Sequence, residues 1–115
     1  MAKVLLLDDN VDALWLQATL LRNLGHEVLT ADSGQDALFV CPAFQPDIVF
    51  VDVLMPGMDG REVGKHIHEL DLAPRPRVVA VTGYSPVLKW QVEGVFDDVL
   101  LKPVSIEQLN GAIAE

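Results

Sequence analysis

The sequence predicts an α/β domain built on a doubly wound parallel sheet of five strands, and three observations predict it. Short apolar runs, several rich in β-branched residues, recur as KVLLL, EVLTA, DIVFV, RVVAV and DVLL, the signature of strands. Longer segments with helical spacing separate them, and alternating strand and helix implies parallel strands joined by right-handed crossovers, with helices on both faces. EVLTA is the least apolar run and so the edge strand. The other runs want burial on both faces, although the short DVLL also suits an edge. A polar second strand fits the order 2-1-3-4-5, in which ligands bind at the carboxyl ends of strands 1 and 3, where the order reverses.

Each helix carries its own punctuation. The first ends before Gly25 and bears two apolar stripes: Leu14, Ala18 and Leu21 at core spacing, and Ala13, Leu16 and Leu20 beside them, with Trp15 between. One stripe suffices for the core, so the second is either part of a broad buried sector or a docking patch. Ser33 opens the second helix, and Asp59 with Glu62 three residues on opens the third. Ser85-Pro86 sets a cap and first-turn proline for the fourth, where Trp90 stands three residues after Val87. Ser105 with Gln108 forms a capping box for the fifth.

Bulk properties narrow the class of function. At 115 residues the expectation is one domain spanning 1–115 with a single core. Mean hydropathy is positive, yet the apolar runs fall far below the ~20 residues of a membrane span, and MAKVLLLDDN meets acid too early for a signal sequence. The lone Cys41 excludes an internal disulfide. A soluble, cytoplasmic domain without membrane contact is expected. Eight Lys and Arg against 17 Asp and Glu give a formal charge of −9. That balance argues against nucleic acid and favours a cation or a basic partner face.

The strand ends carry the chemistry. Strand 1 ends in Asp8-Asp9, strand 3 in Asp52, strand 4 in Thr82 and strand 5 in Lys102, all on the ligand edge of the sheet. A single such aspartate is an ordinary solvated cap, but the coincidence of all of them is not. If three carboxylates converge, each close pair costs on the order of 4 kcal/mol at an effective dielectric near 20, so a cation must offset them. Mg²⁺, with Mn²⁺ as a substitute, suits a sparse all-oxygen site. His66 and His68 do not share a helix face, and with His26 they read as surface or packing residues rather than zinc ligands. Acids, a metal, a hydroxyl and a lysine make a phosphoryl-transfer kit, in which one carboxylate attacks phosphorus. Physics alone leaves open which one.

Taken in order, LLLDDN, DIVFVDVLMPGMDG, VVAVTGY and DDVLLKPV resemble the receiver domain of two-component response regulators along the whole chain, including receivers of hybrid sensor histidine kinases. The resemblance implies a flavodoxin-like (βα)5 fold. It also implies that Asp9 coordinates Mg²⁺ directly, that Asp8 helps through water, and that the Leu54 carbonyl is a further ligand. Asp52 is then the phosphoacceptor and a metal ligand, Thr82 and Gly83 form the switch, and Lys102 reaches the phosphoryl group, with Pro103 a candidate for a cis peptide bond. The donor would be a histidine kinase or histidine phosphotransfer domain, the output partner is unspecified, and the domain is not itself an enzyme. Two departures stand out: Val99 replaces the usual aromatic residue before LLKP, and the segment from Thr82 to Lys102 is short. Leu54 and Tyr84, each two residues past a site residue, are bulky enough to shield a phosphoryl group from water.

Rival readings fare less well. A flavin-binding domain of the same fold needs a hydroxyl- and glycine-rich loop where this chain has DDNVDAL, whose carboxylates repel a phosphate. An aspartyl phosphatase keeps its acids as D-x-D, not adjacent. A receiver cut from a hybrid kinase remains an alternative setting. A phosphorylation-independent pseudo-receiver would be expected to have lost an acid or the lysine, and neither is lost.

Overall fold

The computed structural model describes residues 1–55, 58–83 and 94–115. Tyr84, Ser85, Pro86, Val87 and Trp90, with the fourth helix expected around them, lie outside the described residues, as does the side chain of Leu54. In chain order the elements are β1 (Lys3–Leu7), α1 (Val11–Asn23), β2 (Glu27–Ala31), α2 (Gly34–Phe44), β3 (Ile48–Asp52), β4 (Leu54–Met55), β5 (Met58–Asp59), α3 (Gly60–Glu69), β6 (Arg77–Thr82), β7 (Asp98–Leu101) and α4 (Ile106–Ala114). The last of these is the fifth helical segment of the sequence.

Five parallel strands form one sheet in the order β2-β1-β3-β6-β7, which is the predicted 2-1-3-4-5. EVLTA and DVLL occupy the two edges, and all five residues of the central β3 are buried. The two-residue strands β4 and β5 pair antiparallel as a separate hairpin. Sequence patterning did not anticipate it, because two residues are too few to display alternation.

Alternating side chains divide the core into two layers. Leu5, Leu7, Val49, Val51 and Val78 pack with Ala37, Cys41 and Phe44 of α2 and Val63 and Ile67 of α3. On the other face Val4, Leu6, Ile48 and Phe50 pack with Leu14, Ala18 and Leu21 of α1 and Leu109 and Ala112 of α4. The caps follow the punctuation: Ser33 accepts from the Asp36 N–H, and Ser105 and Gln108 form a reciprocal capping box. Asp59 caps α3 by accepting from the Arg61 N–H. Gly25 follows α1 at φ +97°, a conformation that favours glycine at a helix end.

Candidate functional site

Parallel register brings the acids together. Leu7 of β1 pairs with Val51 of β3, so the next residues along each strand, Asp8 and Asp52, leave the sheet side by side. Asp52 pairs with Val81 of β6, which sets Thr82 one step beyond it, and Thr82 pairs with Leu101 of β7. The Lys102 N–H then donates to the Thr82 carbonyl at 2.9 Å. Four strands thus deliver their terminal polar residues to one edge, at the reversal of strand order.

Carboxylate oxygens of Asp8, Asp9 and Asp52 all lie within 4.8 Å of one another. Asp52 is buried, Asp8 lies at the margin of burial and Asp9 is exposed. Local bonds fix the Asp8-Asp9 turn: the Asp8 N–H donates to the Ala31 carbonyl, and the Asp8 side chain accepts from the Asn10 N–H at 2.9 Å. Asn10 in turn caps α1 by accepting from the Ala13 N–H. The Lys102 ammonium stands 3.2 Å from Oδ2 of Asp52, and the Lys102–Pro103 peptide is cis. Thr82 is buried at the end of β6. Gly83 follows at an exposed bend where an added Cβ would meet nothing within 4 Å.

These groups open on a cleft of about 600 Å³, walled by Ala13 and Gln17 of α1 and by Val81, Pro103 and Val104. The second stripe of α1 is therefore not core: Leu16 and Leu20 are exposed and Ala13 borders the cleft. Asn10, Gln17 and Val104 are additions to the sequence-derived set. Asn10 was legible as a polar residue directly before an amphipathic run. The three histidines have other partners: His26 joins the Ala2 N–H and Asn110, His66 pairs with Glu69, and His68 bonds the Val95 carbonyl.

Burial, and then the charge of Asp8 beside it, push the Asp52 carboxyl up from 3.8 to about 6, against the opposing pull of Lys102. A folded state that binds this proton more tightly than the unfolded chain is favoured by it below the unfolded value. That contribution is lost as pH rises through about 6, above which keeping the buried Asp52 ionised beside Asp8 costs on the order of 2–3 kcal/mol. In chelator, the stability advantage of Asp52→Asn over wild type should therefore shrink by on the order of 1 kcal/mol between pH 7.5 and pH 5. Paired urea titrations measure it, and a gap independent of pH would contradict the assigned cause.

The arrangement is a hard, all-oxygen anionic pocket with the Lys102 ammonium at its rim. Residues 4–114 match the family model described as "Response regulator receiver domain"; the chain belongs to that family, the phosphoacceptor signalling domains of two-component systems. It is 37% identical over 113 residues to the sensor histidine kinase GacS of Pseudomonas protegens, a match covering 93% of this chain and 12% of that protein. The chemotaxis protein CheY4 of Vibrio cholerae superposes with a TM-score of 0.89 at 30% identity, over 99% of this chain and 97% of that one. The response regulator TrrA of Thermotoga maritima, solved in complex with Mg²⁺-BeF, superposes with a TM-score of 0.85 at 25% identity, over 99% and 97% of the two chains. No helix among the described residues is long and apolar enough to cross a membrane.

Proposed function

We propose that this domain accepts a phosphoryl group from a phosphohistidine onto Asp52 in a Mg²⁺-dependent step and passes the signal on as a change in its own surface. The observation that carries the reading is the convergence of Asp8, Asp9 and Asp52 with Lys102 3.2 Å from the Asp52 carboxylate. Three mutually repelling carboxylates fit a small divalent cation, and Asp9, Asp8, Asp52 and the Leu54 carbonyl are the donors we assign to it. When bound, the ion would neutralise charge on the phosphoryl oxygens.

The side chains divide the remaining work. A carboxylate oxygen of Asp52 attacks phosphorus, the bond to the donor's imidazole nitrogen breaks with its electron pair returning to the ring, and an acyl phosphate results. Lys102 leaves its ion pair with Asp52 for the new phosphoryl oxygens. Thr82 and Gly83 close on the same group, and with Val99 in place of an aromatic ring the readout depends on that movement. The donor is a histidine kinase or a histidine phosphotransfer domain, and the reaction is placed in the cytoplasm.

The likeness to GacS supports a hybrid-kinase setting. A pseudo-receiver that merely binds partners is disfavoured by retention of every acid and the lysine. Calorimetric titration with beryllofluoride separates the readings. We expect 1:1 binding with Mg²⁺ and none in chelator, weakened at least about tenfold by Lys102→Ala through loss of one charge-assisted contact. Absence of binding under both conditions would leave only the pseudo-receiver.

A further inference from the structure

The flank of α1 turned away from Leu16 and Leu20 borders a second groove, at the free edge of β2. It has a volume of about 330 Å³ and is lined by Val11, Trp15 and Ala18 of α1 together with Asp32 and Asp36. At 100° per residue Trp15 points roughly 160° away from Ala13 and Gln17, which wall the cleft at Asp52, so the groove and that cleft lie on different sides of the helix. Trp15 is 68% exposed although it is the largest side chain of α1. One turn past Asp36 on α2, Phe39 is 85% exposed within the uncharged run ALFVCPAF. The bare Trp15 ring therefore shares the groove with two carboxylates that have no hydrogen bond or ion pair among the described residues, and the bare Phe39 ring stands one helical turn beyond it on α2.

Charge decides what fits. Nucleic acid and anionic lipid surfaces are repelled by Asp32 and Asp36. A second copy brings the same acids and a further net −9. A partner with basic residues matches the carboxylates, and Lys or Arg over the Trp15 ring adds a cation–π contact. Polarity is built in as well, because Arg22, which donates to the Val28 carbonyl, lines the same groove. The α1 wall from Val11 to Arg22 runs about 16 Å, three turns of a facing helix.

We infer that this groove docks a basic, apolar-faced helix of a protein partner, its cationic residues on Asp32 and Asp36, at a place separate from the phosphoryl site. The groove can then be filled while the Asp52 cleft stays open.

A Trp90→Phe background leaves Trp15 as the sole tryptophan and makes its emission the reporter. The probe is a Leu/Lys amphipathic peptide of about 18 residues, long enough to form a helix, with a Leu/Glu peptide of the same pattern as its control. We expect a saturable blue shift at 1:1 with the Lys peptide only. Asp32→Asn with Asp36→Asn should weaken it about tenfold, the size of two partly screened ion pairs. Phe39→Ser should also weaken it, whereas neutralising the distant Glu107 and Glu115, or replacing Leu16 and Leu20 by Ser, should change it less than about twofold. Equal losses from the distant pair would show attraction to bulk charge alone. A loss confined to the Leu16 and Leu20 variant, or no shift of Trp15 in the folded protein, would overturn the groove assignment.

Discussion

Asp52→Asn should abolish phosphoryl uptake from a phosphohistidine donor, by at least about 10³-fold, while leaving the fold intact. An amide is no nucleophile toward phosphorus, and loss of a covalent nucleophile has effects of that order or larger. Neither neighbour is placed to substitute. Asp8 accepts from the Asn10 N–H, Asp9 is exposed, and the Lys102 ammonium pairs with Asp52 at 3.2 Å. The same change removes one of three mutually repelling charges, so the metal-free variant should also unfold at higher urea. Uptake at wild-type rates in the variant would remove Asp52 from its assigned role.

Gly60→Ala should be among the most damaging single-methyl changes in the domain. An added Cβ would stand 2.6 Å from the Val53 Cα and 3.2 Å from its carbonyl oxygen, and backbone atoms cannot swing aside as a flexible side chain can. Overpacking of this kind costs roughly 1–3 kcal/mol. Val53 directly follows Asp52, so the displacement reaches the carboxylate cluster, and Mg²⁺ affinity should fall with stability. Gly111→Ala in α4 is the control: its Cβ would meet nothing within 4 Å, and alanine in a helix is favoured over glycine by about 1 kcal/mol. Urea titrations of the two variants with and without Mg²⁺ measure both effects. Equal stability in the two would show that α3 tolerates a shift away from Val53.

Most of the sheet was legible because each strand advertises its own environment. The run KVLLL cannot lie at an edge without exposing leucine, and EVLTA cannot lie at the centre without burying Thr30, so the order followed from burial. The site was legible for a related reason: a buried strand that ends in charge, as β3 does at Asp52, needs something to justify the charge. Three-dimensional register supplied the rest. Sequence alone could not say that Asp8 and Asp52 emerge side by side, which depends on Leu7 pairing with Val51. Nor could it decide between the two stripes of α1, since Leu16 and Leu14 are equally apolar and only packing against β1 and β3 distinguishes them. The β4–β5 hairpin was hidden by its brevity, and Gln17 and Val104 reach the cleft only through the placement of α1 and the loop after Pro103.

The most direct test of the account locates the phosphoryl group itself. The protein is incubated with Mg²⁺ and a phosphohistidine donor domain, reduced with borohydride, which converts an aspartyl phosphate to homoserine, and mapped by tandem mass spectrometry. Homoserine is expected at position 52 alone, and absent when Mg²⁺ is chelated. Homoserine at position 8 or 9, or unmodified Asp52 with a donor that transfers to other receivers, would contradict it.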